Sequence, residues 1–167
     1  MYIQVLRHVR LTAKKPCPGF PSWRRAKNRA IKAGSRAMGE EWVGEIGPAH
    51  FEPGAAARYH YRGRSKKYRQ KKAAMVKKGK LPGPAEPLVY TGRSRDRVRM
   101  TRIAPTSRKL RLYIPTPTLN FKPGGHDLRG ELLAVTNENQ RAMNRSLRDG
   151  FVLDLNQQRV NDTLTVR

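Results

Sequence analysis

SWRRAKNRAIKAGSRAMGEEWVGEIGP, residues 22–48, is the stretch on which the fold turns. Trp23, Ala26, Ala30, Gly34, Ala37, Met38, Trp42 and Ile46 recur mostly every three or four positions, the spacing that aligns one face of an α-helix. Arg25, Lys32 and Arg36 fall off that stripe. Ser22 has the hydroxyl of an N-cap, able to accept from an orphan amide of the first turn, and Pro48 is expected to end the helix. The reading is a long amphipathic helix with both tryptophans on its apolar side.

Such a helix needs a surface to cover. Residues 2–11 alternate, with Ile3, Val5, Val9 and Leu11 on one face and Gln4, His8 and Arg10 on the other. A period of two indicates a half-buried strand. Residues 98–103 and 110–114 read as two more strands around Pro105-Thr106-Ser107, a hairpin with a basic outer face.

Between these elements, residues 51–61 suit a short helical turn leading into an exposed aromatic and basic segment. Ser65 is placed to cap a second helix through Val76, ended by Gly79. Lys67 and Lys71, like charges at i,i+4, oppose that helix unless an anion neutralises them. Residues 14–21, 81–87 and 115–125 are proline-rich: a loop, a linker and an extended arm. Asp127 and Thr136 are placed to cap helical stretches over 128–133 and 137–147, with Gly150 as a stop. The alternation of Phe151, Leu153 and Leu155, then Val160, Leu164 and Val166, suits a terminal hairpin.

The expected fold is therefore α+β: a long amphipathic N-terminal helix packed on a small antiparallel sheet, with extended proline-rich arms. Residues 1–115 form the body, with Trp23, Trp42, Phe51, Leu88, Val89 and Ile114 in its core. Residues 116–167 form a C-terminal arm, a helix and the hairpin.

Charge is the second strong signal. The chain of 167 residues carries +24, with 37% hydrophobic residues and 7% aromatic ones, and its mean hydropathy is −0.77. The core must be thin. Residues 58–111 hold 19 basic and 2 acidic side chains, a net +17. Ordinary surfaces mix both signs, because a large one-sign field repels itself. So lopsided a segment is most cheaply kept by contact with a polyanion, either nucleic acid or an acidic protein surface.

In residues 59–69 arginines and lysines alternate with three tyrosines. Arginine forks match phosphate oxygens, and aromatic faces stack on bases or guanidinium groups. Arg58, Arg62, Arg64, Lys66, Lys67, Arg69, Lys71 and Lys72 are the expected polyanion-binding residues. Nothing there has the form of a base-reading element, so contact with nucleic acid is expected to be to the backbone and blind to sequence.

Catalysis has little to stand on. His8, His50, His60 and His126 share no metal-binding spacing and are expected on the surface or in loops. The single cysteine, Cys17, excludes an intramolecular disulfide and cysteine-rich zinc sites. Glu40, Glu41 and Glu45 are read as balancing nearby cations. A nuclease needs carboxylates to hold divalent ions near the phosphate, and the basic third offers only Glu86 and Asp96. No enzyme activity, cofactor or metal is expected. No run of residues is apolar and long enough to span a bilayer.

The order of segments carries a resemblance. The helix runs into Pro48-Ala49-His50-Phe51-Glu52-Pro53-Gly54-Ala55-Ala56-Ala57-Arg58-Tyr59-His60-Tyr61, then Arg64-Ser65-Lys66-Lys67-Tyr68, then Pro87-Leu88-Val89-Tyr90-Thr91-Gly92. Over residues 22–115 this resembles the small tailed-bacteriophage proteins of the head–tail neck and tail-completion group. The resemblance implies a long helix across a small antiparallel sheet, and a structural protein of the virion. That protein would assemble as a ring or in several copies, with other neck and tail proteins and the packaged DNA backbone as partners. Thr91-Gly92 would be the turn into the sheet. The chain departs from the pattern at Ser94, among Arg93, Arg95 and Arg97, where such proteins carry an aliphatic residue. A basic nucleic-acid-binding protein of ribosomal or nucleoid type is the rival expectation, since it accounts equally for the charge, the arms and the thin core.

Overall fold

A computed structural model describes residues 2–6, 23–81, 93–115 and 127–165. Outside them lie Ser22, the 14–21 loop with Cys17, nearly all of the 81–87 linker and of the 115–125 arm, Thr91-Gly92, His8, His126, Leu88 and Val89, together with the side chain of Trp23. In chain order the elements are strand β1 (Tyr2–Leu6), helix α1 (Trp23–Glu41), a π-helical turn (Trp42–Ile46), and helices α2 (Gly47–Ala49), α3 (Ala55–Arg58), α4 (Lys66–Lys77) and α5 (Arg93–Arg99). Strands β2 (Arg102–Pro105) and β3 (Lys109–Tyr113) follow, then helices α6 (Leu128–Leu133) and α7 (Asn137–Thr165). The fold is α+β, with a long N-terminal helix and a small antiparallel sheet.

The chain forms two compact units that interleave in sequence. One holds β1, α1, residues 103–113 and the helix from Arg141 onward; the other holds residues 42–81, 93–102, 114–115 and 127–140. A division at 115/116 is therefore not where the contacts part.

In the first unit the sheet order is β1-β3-β2, with β1 antiparallel to β3 in the register Tyr2↔Tyr113 through Leu6↔Lys109. The β2–β3 turn is closed by the Thr106 amide donating to the Lys109 carbonyl at 2.9 Å. Leu110 and Leu112 of β3 are buried. Helix α1 lies on this sheet: a β-carbon on Gly39 would stand 2.7 Å from Ile103 Cγ2 and 3.3 Å from Leu110 Cδ1. Ala26, Ala30, Ile31, Ser35 and Met38 are buried along α1, whereas Arg25, Lys32 and Arg36 are exposed. Its first turn carries Arg24 and Arg25 and its last Glu40 and Glu41, opposed to the helix macrodipole. Tertiary packing, not terminal charge, holds this helix.

The expected terminal hairpin is replaced by helix. Helix α7 runs unbroken through Gly150 to Thr165. Asn139, Ala142, Met143, Ser146, Leu147, Gly150, Phe151, Asp154, Leu155 and Gln158 are its sheltered positions through residue 158, a spacing of 3.6 and not of two. Leu153, which supported the alternation, is 60% exposed. Gly150 does not stop the helix because it sits where α7 crosses α1. A β-carbon there would be 2.8 Å from Ala37 Cβ and 3.1 Å from Gly34 Cα. Polar contacts flank the crossing: Ser146 Oγ donates to Glu41 Oε2 at 3.1 Å, and Arg29 Nε to Asp154 Oδ1 at 3.2 Å.

In the second unit the helical run ends at Ala49, one residue past Pro48, where the sequence placed its stop. The π-helical turn resets the hydrogen-bond ladder, so Pro48 falls in the opening of α2, where its missing N–H is not needed. Val98 was expected in a strand but lies in α5, fully buried against Gly47. Thr101 ends that helix, donating from both its amide and its hydroxyl to the Val98 carbonyl, and β2 begins only at Arg102. Trp42, Ile46, Phe51, Ala55, Val98, Ile114 and Leu132 are buried and make the core of this unit. Of the expected core residues, Trp42, Phe51 and Ile114 thus take that role.

Candidate polyanion-binding surface

The basic helix follows an aromatic cluster in the chain, within the second unit. Gly54, in the left-handed region at φ 85, starts α3, and α3 delivers Tyr59 and Tyr61 beside His50. The His50 and Tyr59 rings stack at 3.8 Å between centroids, and Tyr59 and Tyr61 at 5.9 Å. Tyr59 is buried, Tyr61 half-buried and His50 wholly enclosed. This corrects two expectations, an exposed aromatic segment and a surface histidine. Rings two residues apart in the chain share one side because the intervening His60 takes a left-handed φ of 52 and is itself exposed.

Burial lowers the His50 pKa to about 4, so the ring is neutral near pH 7. Burial first, then the neighbouring Tyr59 and Glu131, raise the Tyr61 phenol above its usual range, with Arg64 acting the other way. A protonated phenol beside a neutral imidazole fixes the direction of their hydrogen bond: Tyr61 donates to His50 Nδ1. His50 Nε2 then carries the proton, and it is buried with no hydrogen-bond partner among the described residues. Asn139 Nδ2 donates to the Tyr59 hydroxyl at 3.0 Å.

Arg64 extends from this cluster and makes a bidentate pair with Glu131 of α6, one arm at 2.8 Å. The side chains are 20% and 10% exposed, so the pair is mostly desolvated. It leaves Arg64 committed to Glu131. A cleft of about 390 Å³ opens beside it, lined by residues including Tyr59, Arg62, Asp127 and Glu131. Asp127 there accepts from the Gly130 amide at 3.0 Å as the cap of α6. With both carboxylates on its wall, this cleft is not an anion site.

Ser65 starts α4 as expected, its hydroxyl accepting from the Tyr68 amide at 3.3 Å. Gly79, at φ 69, closes the far end. Lys72, Met75 and Val76 form the sheltered side of α4 at helical spacing, and Lys72 is only 6% exposed. Of the eight expected residues, Arg58, Arg62, Lys66, Lys67, Arg69 and Lys71 are exposed and enter no ion pair among the described residues. Arg64 and Lys72 are turned to the protein. Lys77, Lys78 and Lys80 are also exposed; continuing the charge run past Lys72 finds them. Glu131 had no such signal, because its partner lies 67 residues away.

No acidic residue stands anywhere in α4, and Lys66 and Lys67 occupy its first turn, where the macrodipole disfavours cations. The helix is electrostatically incomplete by itself. Among the described residues no group of three His, Cys, Asp or Glu side chains is placed to hold a metal, and no helix is long and apolar enough to cross a membrane. No protein-family model, curated protein or solved structure matches this chain.

Proposed function

We propose that this chain is a structural protein of a tailed-phage virion at the head–tail junction, of the neck or tail-completion class. It acts by assembly, not by catalysis. Several copies sit around the DNA channel with other neck and tail proteins, and the basic surface neutralises either an acidic ring or the phosphates of the DNA. The observation that carries this reading is α4, an exposed helix with six basic residues and no acidic one. The order of segments over residues 22–115 supports it, as does a helix-on-sheet body able to serve as a building block.

Co-assembly tests the proposal. The purified chain is mixed with portal, neck and tail proteins of a tailed phage, and mass is measured by light scattering and native mass spectrometry. A defined multimer in the absence of nucleic acid is expected. A chain that stays monomeric with every such partner overturns the assignment. The rival, a ribosomal or nucleoid-type binder, rests on the same helix; it predicts binding to nucleic acid and no protein multimer.

A further inference from the structure

The outward side of α4 has a definite layout. At about 3.6 residues per turn, the face opposite Lys72, Met75 and Val76 presents Lys66 and Lys67 at one end and Lys77 and Lys78 at the other. Gln70, Ala73 and Ala74 lie between, and all seven residues are exposed. The two lysine pairs are 11 positions apart, roughly 16 Å at 1.5 Å per residue. Between them the alanines leave a shallow saddle.

We infer that this face clamps duplex DNA across the major groove, with one lysine pair on each backbone strand and the alanine saddle over the groove. The inference rests on the polyanion reading above and names the partner for that surface.

Three observations favour a duplex over an acidic protein. Protein interfaces draw on aromatic residues, Met and Arg, and are depleted of Lys and Ala, yet Lys and Ala are nearly all this face contains. Its length spans a groove about 12 Å wide with both ends on phosphate. The like charges that oppose α4 in isolation are relieved only by an anion at each end, because the first turn and the last each carry lysines. Ala73 and Ala74 have no donor or acceptor to offer a base edge, so binding is blind to sequence. A-form RNA has a deep, narrow major groove and does not fit the saddle.

The test is fluorescence anisotropy of the full chain with a 20-base-pair DNA duplex, its single strand, an RNA duplex of the same sequence and poly-glutamate. The expected order places the DNA duplex first. Four phosphate contacts give a log–log salt slope of about −3.6, or roughly 150-fold loss between 50 and 200 mM salt. Replacing either pair, K66A/K67A or K77A/K78A, is expected to lower the slope by about 1.8 and to abolish the preference for duplex over single strand. Ala74→Trp fills the saddle without changing charge; it is expected to weaken duplex binding about tenfold and leave single-strand binding alone. Circular dichroism checks that each exposed-site variant stays folded.

Equal affinity for duplex and single strand, or an unaffected Ala74→Trp variant, overturns the clamp while leaving the polyanion reading in place. Tighter binding to poly-glutamate does the same, in favour of an acidic protein surface. A chain that binds none of the four probes overturns the clamp and removes the polyanion reading with it; co-assembly then decides the virion role separately.

Discussion

Gly34→Ala exposes the logic of the α1–α7 crossing. In a helix, alanine is preferred to glycine by about 1 kcal/mol, so at an open position the change stabilises. At Gly34 the new β-carbon would stand 2.3 Å from the Leu147 carbonyl oxygen and 3.2 Å from Phe151 Cβ and N. The nearest obstacle is backbone, which cannot rotate away. The helices must separate by about 1 Å, and forcing a methyl group into packed structure costs about 1–3 kcal/mol, here toward the upper end. The net expectation is a loss of about 1–2 kcal/mol, or several degrees in Tm at 2–4 °C per kcal/mol for a chain of this size. Gly44→Ala is the control, since among the described residues nothing lies within 4 Å of its β-carbon position; it is expected to be neutral or to gain up to about 1 kcal/mol. Thermal and urea unfolding followed by circular dichroism measure both. A Gly34→Ala chain as stable as the parent would refute the close crossing, and with it the account of why Gly150 fails to end α7.

Two further outcomes follow from the aromatic cluster. His50, with its pKa lowered to about 4 by burial, is protonated in the unfolded chain below about pH 6.5 but not in the folded one. Its contribution to stability is present above pH 6.5 and is lost as pH falls toward 4, at up to about 1.4 kcal/mol per pH unit. A His50→Phe chain, which keeps a ring in the stack, is expected to lack that slope; identical pH profiles for parent and variant would contradict the burial argument. Arg64→Ala leaves the Glu131 carboxylate unsatisfied in a mostly desolvated site and is expected to cost about 2 kcal/mol. Adding Glu131→Gln is expected to recover part of that loss in a double-mutant cycle, whereas additive losses would mean that the two groups do not interact.

What was legible in the sequence was local. Periodicity placed α1, alternation placed β1, and side-chain capping placed α4, α6 and the start of α7 at Ser65, Asp127 and Thr136, because each of those signals is carried by residues within one turn. The failures involve contacts that reach beyond a single helical turn. Gly150 reads as a breaker until Ala37 and Gly34 are brought against it. Val98 reads as a strand residue until Gly47 offers it a helical pocket. Tyr59 and Tyr61, set among cations, read as an exposed recognition segment until stacking with His50 buries Tyr59 and half-buries Tyr61. For the candidate surface, composition singled out a segment but not which of its cations face outward. Arg64 and Lys72 are withdrawn by Glu131 and by the inward turn of α4, while Lys77 and Lys78 complete the outward face.

Amide hydrogen exchange across residues 66–77, with and without a DNA duplex at low salt, is the most direct measurement. Exposed like charges crowd α4, which has no acidic residue of its own, so its amides are expected to exchange rapidly alone and to gain at least tenfold protection when the duplex is bound. Saturating duplex that leaves α4 exchange unchanged, while protecting another part of the chain or none, would contradict the claim that this helix exists to meet a polyanion.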